Sequence, residues 1–180
     1  MRFTETALQG VLLVEPDKRA DERGFFARVW CQEVFELRGL NPAVAQTNVG
    51  FSSRRGTLRG LHYQRAPHDE AKLVRCTRGA VYDVVVDLRR DSATYLHWAG
   101  FELADDSHAA VYVPEGCAHG YLTLTDGAEI TYQASRPYVP AAATGLRYDD
   151  PALGIRWLIE PQVISTQDQS WPLLPLEAVA

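Results

Sequence analysis

The chain has 180 residues, of which 46% are hydrophobic and 23% charged, and these proportions are typical of a soluble globular domain rather than a disordered or membrane protein. The formal net charge of -5 disfavours non-specific binding to nucleic acids. The three cysteines have no CxxC spacing, no apolar run is long enough to span a membrane, and the N-terminus does not read as a signal peptide. We therefore predict a single cytoplasmic domain over residues 1–180, with no membrane partner.

In chain order, the first regular pattern is helical. In residues 30–38, Trp30, Val34 and Leu37 lie on one side, and Gly39 is the predicted stop. This short segment is the one place where the hydrophobic spacing predicts a helix.

The rest of the chain alternates with a period of two. This pattern predicts strands at 57–64, 71–77, 81–88, 109–113, 120–124 and 128–135. In the third of these, one face carries Tyr82, Val84, Val86 and Leu88, and the other carries Val81, Asp83, Val85 and Asp87. Many short strands with one or a few short helices predict an all-β fold, an antiparallel sandwich or jelly roll. Residues 137–145 are predicted to form a mobile loop.

The strand predicted at 57–64 and the strand after it carry the residues of most chemical interest. Strand alternation allows His62 and Lys72 to point into the same barrel. Arg59 lies three residues before His62 and faces the opposite way unless the strand has a bulge, for which Gly60 is the natural position. A base beside two cations is the set of groups that removes a proton next to a carbonyl and holds the resulting oxyanion.

Two later residues add to this set. In the strand at 128–135, Tyr132 belongs to the apolar inward row, where its hydroxyl group needs a partner. By itself an inward tyrosine, or an inward histidine such as His62 or His119, is most often an ordinary core residue. Lys72 changes this interpretation, because an inward lysine is costly to bury without a ligand or a counter-charge. Together these residues indicate a ligand site.

A metal site is the main alternative. Jelly-roll cupins usually present two histidines and a carboxylate from a first motif and one histidine from a second, and residues 114–119 look like the second motif. Where the first motif needs His-x-His, the chain has His62, Tyr63 and Gln64, and Lys72 adds a positive charge. Zinc and iron prefer neutral imidazoles and carboxylates in an open cluster, so no metal site is predicted.

These motifs resemble those of the dTDP-4-dehydrorhamnose 3,5-epimerase family of nucleotide-sugar epimerases over nearly the full length of the chain. The matching positions are residues 21–26, 46–48, 56–64, 72–76, 79–89, 114–120, 132, 138, 149–151 and 164–168. The resemblance implies a double-stranded β-helix of the cupin superfamily, a homodimer with N-terminal strand exchange, and no metal or other cofactor.

The resemblance also implies a role for each site residue. His62 matches the general base that removes a proton alpha to the C4 ketone of a nucleotide-diphosphate-linked 4-keto-6-deoxy sugar, and Asp168 matches its paired carboxylate. Lys72 matches the residue beside the enolate oxygen, and Tyr132 matches the acid on the opposite sugar face, which inverts C3, C5 or both. The substrate-contacting positions of the family match Arg23, Phe26, Gln46, Asn48, Arg59, His119 and Tyr138.

Three positions depart from the family pattern at the nucleotide or diphosphate end. Arg28 and either Ala143 or Thr144 stand where the family has acids, and Gln167 replaces a lysine just before the paired aspartate. The nucleotide therefore stays open among dTDP, CDP, UDP and GDP, and so do the sugar and the epimerised carbon. Two alternatives remain: a keto-sugar isomerase, which gives a constitutional isomer, and a non-catalytic sugar-binding cupin, which the retained catalytic set disfavours.

Overall fold

The computed structural model describes residues 1–175, and positions 176–180 of the predicted domain lie outside the described residues. Within this part of the chain there are two short helices, α1 (Gln32–Leu37) and α2 (Thr166–Ser170). The strands are β1 (Arg2–Glu5), β2 (Leu12–Glu15), β3 (Arg19–Asp21), β4 (Gly24–Phe26), β5 (Gln46–Ser52), β6 (Thr57–Gln64), β7 (Lys72–Arg78), β8 (Ala80–Asp87), β9 (Trp98–Ala104), β10 (Ala110–Val113), β11 (Cys117–Thr123), β12 (Ala128–Ala134), β13 (Ala143–Gly145) and β14 (Val163–Ile164). Neither helix is long enough to cross a lipid bilayer.

Most strands belong to two sheets. The first sheet has the order β1-β2-β10-β7-β12-β5, and the second has the order β13-β6-β11-β8-β9. Their strand pairs are antiparallel, and β14 adds a short parallel pairing to β6. β3 and β4 form a separate hairpin. The predicted all-β jelly roll with a few short helices is therefore confirmed.

Three hydrophobic layers hold the sheets together. Residues of both sheets, among them Val74 of β7 and Val85 of β8, form the inner layer. Phe35 of α1 covers the outer face of the first sheet. The C-terminal segment covers the outer face of the second sheet through Leu146 and Trp157. Because apolar burial is the main favourable term in folding, this arrangement fixes which side chains of each strand point inward.

The predicted strands coincide with β6, β7, β8, β10, β11 and β12 to within a few residues. The two predicted faces of β8 are also confirmed, since Val84 packs in the outer layer of the second sheet and Val85 packs in the inner layer. Both faces of β8 are covered, which explains why its eight residues are almost all buried.

Two predictions were wrong in detail: the packed side of α1, and the loop at residues 137–145. Leu37 was placed on the packed side of α1, but it is 81% exposed, and Phe35 is the buried residue, packing edge-on against Phe3 and Tyr112. A helix of six residues has fewer than two turns, so its spacing defines the packed side poorly. The predicted stop is confirmed, because Gly39 has a φ of 68° directly after the helix.

The segment predicted as a mobile loop, 137–145, contains a strand. Its last three residues form β13, in which Ala143 pairs with Gln64 and Gly145 pairs with His62. Alanine and glycine have little intrinsic preference for strands, so it is the free edge of β6 rather than a local pattern that organises this segment.

Candidate active site

A cavity of about 700 Å³ opens between the two sheets. Residues of β5, β7 and β12 line one wall, and residues of β6, β11 and β13 line the other, with α2 closing one side. All predicted site residues except Arg23 and Phe26 lie on these walls. They are Gln46, Asn48, Arg59, His62, Lys72, His119, Tyr132, Tyr138 and Asp168.

A bulge in β6 gives two of these residues a common direction. His119 of β11 pairs with His62, and Tyr121 pairs with Arg59, so β6 carries one more residue than β11 between these pairs. The extra residue is accommodated at Gly60, whose φ of 129° is rare for residues with a side chain. The predicted bulge is confirmed, and it brings Arg59 and His62 to the same cavity.

On the second-sheet wall, His62 is paired with Asp168. The His62 Nε2 to Asp168 Oδ1 distance is 2.6 Å, and the side chains are 47% and 5% exposed, respectively. Two further contacts hold the carboxyl group in place: the Gly60 N–H donates to its Oδ2, and the Asp168 N–H itself donates to Ser165, the N-cap of α2. Burial raises the pKa of Asp168, but the hydrogen bonds that it accepts and the electrostatic effect of His62 outweigh burial, so the net pKa lies below its usual range. This carboxylate is therefore ionised at neutral pH.

Lys72 and Tyr132 lie on the first-sheet wall, opposite His62. The Lys72 ammonium group forms an ion pair with Glu70, with an Nζ to Oε1 distance of 3.0 Å. Burial, and after it the Glu70 carboxylate, raises the pKa of Tyr132 above its usual value, so its hydroxyl group stays protonated and can donate. An imidazole and a protonated phenol therefore lie on opposite walls of the cavity.

The remaining polar residues of the walls are also held by specific contacts. Arg59 donates to the Ser52 hydroxyl group at 3.2 Å and to the Phe51 carbonyl at 3.0 Å. His119 Nε2 lies 2.7 Å from the buried Asp83 carboxylate. These contacts fix the orientation of an arginine and a second histidine toward the cavity.

Arg23 and Phe26 do not reach this cavity within the chain. They belong to the β3–β4 hairpin, in which every residue is exposed, and Phe26 is 72% exposed. Arg23 forms an ion pair with Asp21 of the same hairpin. Phe25 beside it is 46% exposed, so the hairpin presents two large aromatic side chains to the outside.

Of the positions that depart from the family pattern, some line the cavity and one lies outside it. Ala143, Thr144 and Gln167 line the cavity, whereas Arg28 lies on the exposed segment after the hairpin. The hydroxyl group of Thr144 accepts a hydrogen bond from Arg65 at 3.3 Å. The cavity wall thus carries uncharged residues at the positions where one acid and one lysine were expected.

Sequence reasoning missed several residues of the walls. Glu70, Tyr121, Arg136 and Trp171 all line the cavity. Glu70 was detectable in principle, because it lies two residues before Lys72 and shares its parity along an extended chain. The others follow from the tertiary arrangement, which no local pattern in the sequence specifies.

The donor set of the cavity is a poor one for a divalent cation. Within residues 1–175 there is no group of three or more histidine, cysteine, aspartate or glutamate side chains arranged to hold a metal ion. The Nε2 atoms of His62 and His119 are already paired with carboxylates, and the Lys72 ammonium group faces the same space.

Comparison with known proteins agrees with this geometry. The chain matches the sequence profile of the family described as dTDP-4-dehydrorhamnose 3,5-epimerase over residues 5–175. A protein of that name from Methanothermobacter thermautotrophicus is 40% identical over 173 residues, covering 94% of this chain and 92% of the relative. A dTDP-4-dehydrorhamnose 3-epimerase from Streptomyces niveus is 41% identical over 175 residues, covering 97% of this chain and 84% of the relative.

A solved structure extends the comparison to the fold. The dTDP-4-dehydrorhamnose 3,5-epimerase from Bacillus anthracis, with TDP and PPi bound, superposes with a TM-score of 0.92 at 37% identity. The match covers 96% of this chain and 99% of that chain.

Proposed function

Because the chain belongs to the dTDP-4-dehydrorhamnose 3,5-epimerase family, we propose that its cavity binds a dTDP-linked 4-keto-6-deoxy sugar and inverts C3, C5 or both. The observation that carries this proposal is the placement of His62 and Tyr132 on opposite walls of one cavity. Inversion needs a proton to leave one face of the sugar ring and another to arrive at the opposite face.

We assign the base to His62. Because Nε2 is held by Asp168, the proton on the imidazole sits on Nε2 and the lone pair of Nδ1 is free to take the proton alpha to the ketone. Asp168 then stabilises the imidazolium ion that forms. The electron pair of the broken C–H bond moves into the C–C bond as the C4 carbonyl becomes an enolate.

We assign Lys72 to the enolate oxygen and Tyr132 to the return of the proton. An ammonium group counts most where negative charge develops, so Lys72 stabilises the transition state more than the bound substrate. The Tyr132 hydroxyl group then donates its proton to the carbon from the opposite face, and the enolate returns to the ketone. Solvent restores both side chains to their starting protonation states.

The choice of dTDP rests on the relatives. The Bacillus anthracis structure has TDP and PPi bound, and the curated relatives are named for dTDP sugars. The Streptomyces niveus relative is named as a 3-epimerase, so inversion at C3 alone stays within the proposal. Gln46, Asn48, Arg59, His119 and Tyr138 are proposed to contact the substrate.

We further propose a homodimer with N-terminal strand exchange, in which the β3–β4 hairpin carries Arg23 and Phe26 to the partner's cavity. Their exposure within one chain supports this arrangement. The enzyme is proposed to work in the cytoplasm, in the biosynthesis of a deoxysugar such as those of lipopolysaccharides. The free thiols of Cys31, Cys76 and Cys117 agree with a reducing compartment.

A panel of 4-keto-6-deoxy sugars linked to dTDP, CDP, UDP or GDP, incubated with the enzyme in deuterated water and followed by NMR, tests the function. The expected result is turnover of the dTDP sugar, with deuterium at each inverted carbon. A constitutional isomer as product would instead identify a keto-sugar isomerase. Binding without exchange or turnover would identify a sugar-binding protein.

A further inference from the structure

Glu70 forms a buried ion pair with the lysine on the first-sheet wall. Its Oε1 atom lies 3.0 Å from Lys72 Nζ, and the two side chains are only 8% and 11% exposed. Its second oxygen, Oε2, accepts a hydrogen bond from the side-chain amide of Gln64. One carboxylate therefore joins the ammonium group to the neighbouring strand β6.

We propose that Glu70 is a positioning residue of the epimerisation, which holds the Lys72 ammonium group at the place where the enolate oxygen forms; this inference rests on the proposed function. A lysine side chain has four methylene groups and a point charge, so its charge is not fixed by its backbone. Electrostatic stabilisation of a transition state is effective only when the charged group is in place beforehand. Glu70 supplies that restraint.

Glu70 is itself fixed from behind by Gln64. The Gln64 amide nitrogen also lies within hydrogen-bond distance of the carbonyls of His68, at 3.0 Å, and Pro137, at 3.2 Å, so its two N–H groups are shared among three acceptors. The Gln64 amide oxygen accepts from the Val139 N–H at 2.6 Å. These bonds tie the loop that carries Glu70 to the segment that follows β12, so the carboxylate keeps one position although it lies outside a regular strand.

The same carboxylate acts on the proposed proton donor. Together with burial, which has the larger effect, it raises the pKa of Tyr132. Because burial is the larger cause, and because an ordinary tyrosine is already protonated at neutral pH, Tyr132 keeps its proton without Glu70, and the effect of Glu70 on the reaction runs through Lys72. A glutamine at this position would preserve the shape of the side chain and remove the charge.

A double-mutant cycle tests the inference with dTDP-4-keto-6-deoxyglucose as substrate. The proteins are the wild type, Glu70→Gln, Lys72→Met and the double variant. Glu70→Gln is expected to lower kcat by roughly 10- to 100-fold, the usual loss for an outer partner of a reacting group, and to leave KM nearly unchanged. In the Lys72→Met background, Glu70→Gln should cost no further activity, because it acts through Lys72.

Glu129→Gln is the matched control, since Glu129 lies on β12 with its side chain bonded to Thr77, and it should keep wild-type kcat. If Glu70→Gln does not fold, Glu70→Asp keeps the charge but shortens the side chain, and an intermediate loss of kcat is expected. Additive losses in the cycle, a change confined to KM, or no change would overturn the inference. Inactive wild-type and Glu129→Gln proteins would instead refute the proposed function, and the inference with it.

Discussion

At the scale of single residues, the two carboxylates of the site, Asp168 and Glu70, each pair with a different basic side chain. Asp168 lies behind the histidine of the second-sheet wall, and Glu70 lies beside the lysine of the first-sheet wall. In the proposed mechanism each carboxylate stabilises a positive charge: Asp168 that of the imidazolium ion formed by proton abstraction, and Glu70 that of the Lys72 ammonium group. Substitutions in the two pairs are therefore expected to change kcat and its pH dependence differently.

The first prediction concerns the base. His62→Ala should lower kcat by roughly 10²–10⁴-fold, the usual loss for a general base, while TDP binding measured by calorimetry stays close to that of the wild type. Near-normal turnover in this variant would remove the assignment.

Asp168→Asn provides the matching experiment at the partner. The ionised carboxylate, whose pKa lies below its usual range, would be replaced by a neutral amide of the same shape. Because the imidazolium ion then loses its counter-charge, the base holds its proton less tightly, and the acid limb of the rate–pH profile should move to lower pH with reduced kcat. An unchanged profile would indicate that Asp168 only supports the structure.

A third prediction separates the two halves of the reaction. Tyr132→Phe keeps the ring and its packing but removes the proton donor. This variant should still exchange the alpha proton of the substrate with deuterated solvent, because His62 can return a deuteron to the face from which it took the proton. It should form little inverted product. Parallel loss of exchange and inversion would mean that Tyr132 helps to form the enolate instead.

At the scale of elements, the bulge in β6 brings Arg59 and His62 to the same side of the strand. A methyl group on Gly60 would lie 2.5 Å from the Gly120 Cα atom and 3.0 Å from the His119 carbonyl oxygen. These are backbone atoms of the neighbouring strand, so they cannot move aside independently. Position 60 therefore has no room for a side chain.

Gly60→Ala is therefore expected to cost both stability and activity. Left-handed backbone alone costs about 1–2 kcal/mol for a residue with a side chain, and overpacking adds roughly 1–3 kcal/mol. Gly39→Ala is the control, because Gly39 also has a positive φ but has no atom within 4 Å of the added methyl group. Thermal unfolding should give a clearly larger loss of melting temperature for Gly60→Ala, and only this variant should lose kcat. Equal losses would show that the contact with β11 is unimportant.

The strands whose side chains follow a period of two were predictable from the sequence, and the elements that depend on contacts with distant parts of the chain were not. In β8, the valines and Tyr82 fall on the two faces of a period-two pattern, so its strand and its faces follow from the sequence. Residues 143–145 form a strand because they pair with the edge of β6. Phe35 rather than Leu37 is the buried residue of α1 because the side chains that pack on the helix lie on the side of Phe35. The parity of Glu70 with Lys72 was visible in the sequence, but its contact with Gln64 follows from the fold and not from a motif.

At the scale of the whole molecule, the two sheets line the cavity and the β3–β4 hairpin does not. The sheets form both walls, whereas the β3–β4 hairpin exposes all its residues and contacts the cavity nowhere within the chain. If Arg23 and Phe26 act on the substrate, a second copy of the chain must bring them. The proposed homodimer thus makes each active site depend on two chains.

Hybrid dimers test this dependence directly. Arg23→Ala and His62→Ala chains with different affinity tags are co-expressed, and the dimers that carry both tags are isolated. If the hairpin serves the partner, the cavity of the Arg23→Ala chain receives an intact Arg23 from the His62→Ala chain and keeps its own His62. Each hybrid dimer then has one complete site and about half the wild-type activity per dimer. If the hairpin serves its own chain, one site lacks Arg23 and the other lacks His62, so the hybrid is no more active than the mean of the two parent variants. Recovery of activity in the hybrid, measured beside both parents, therefore decides whether the site is shared between chains.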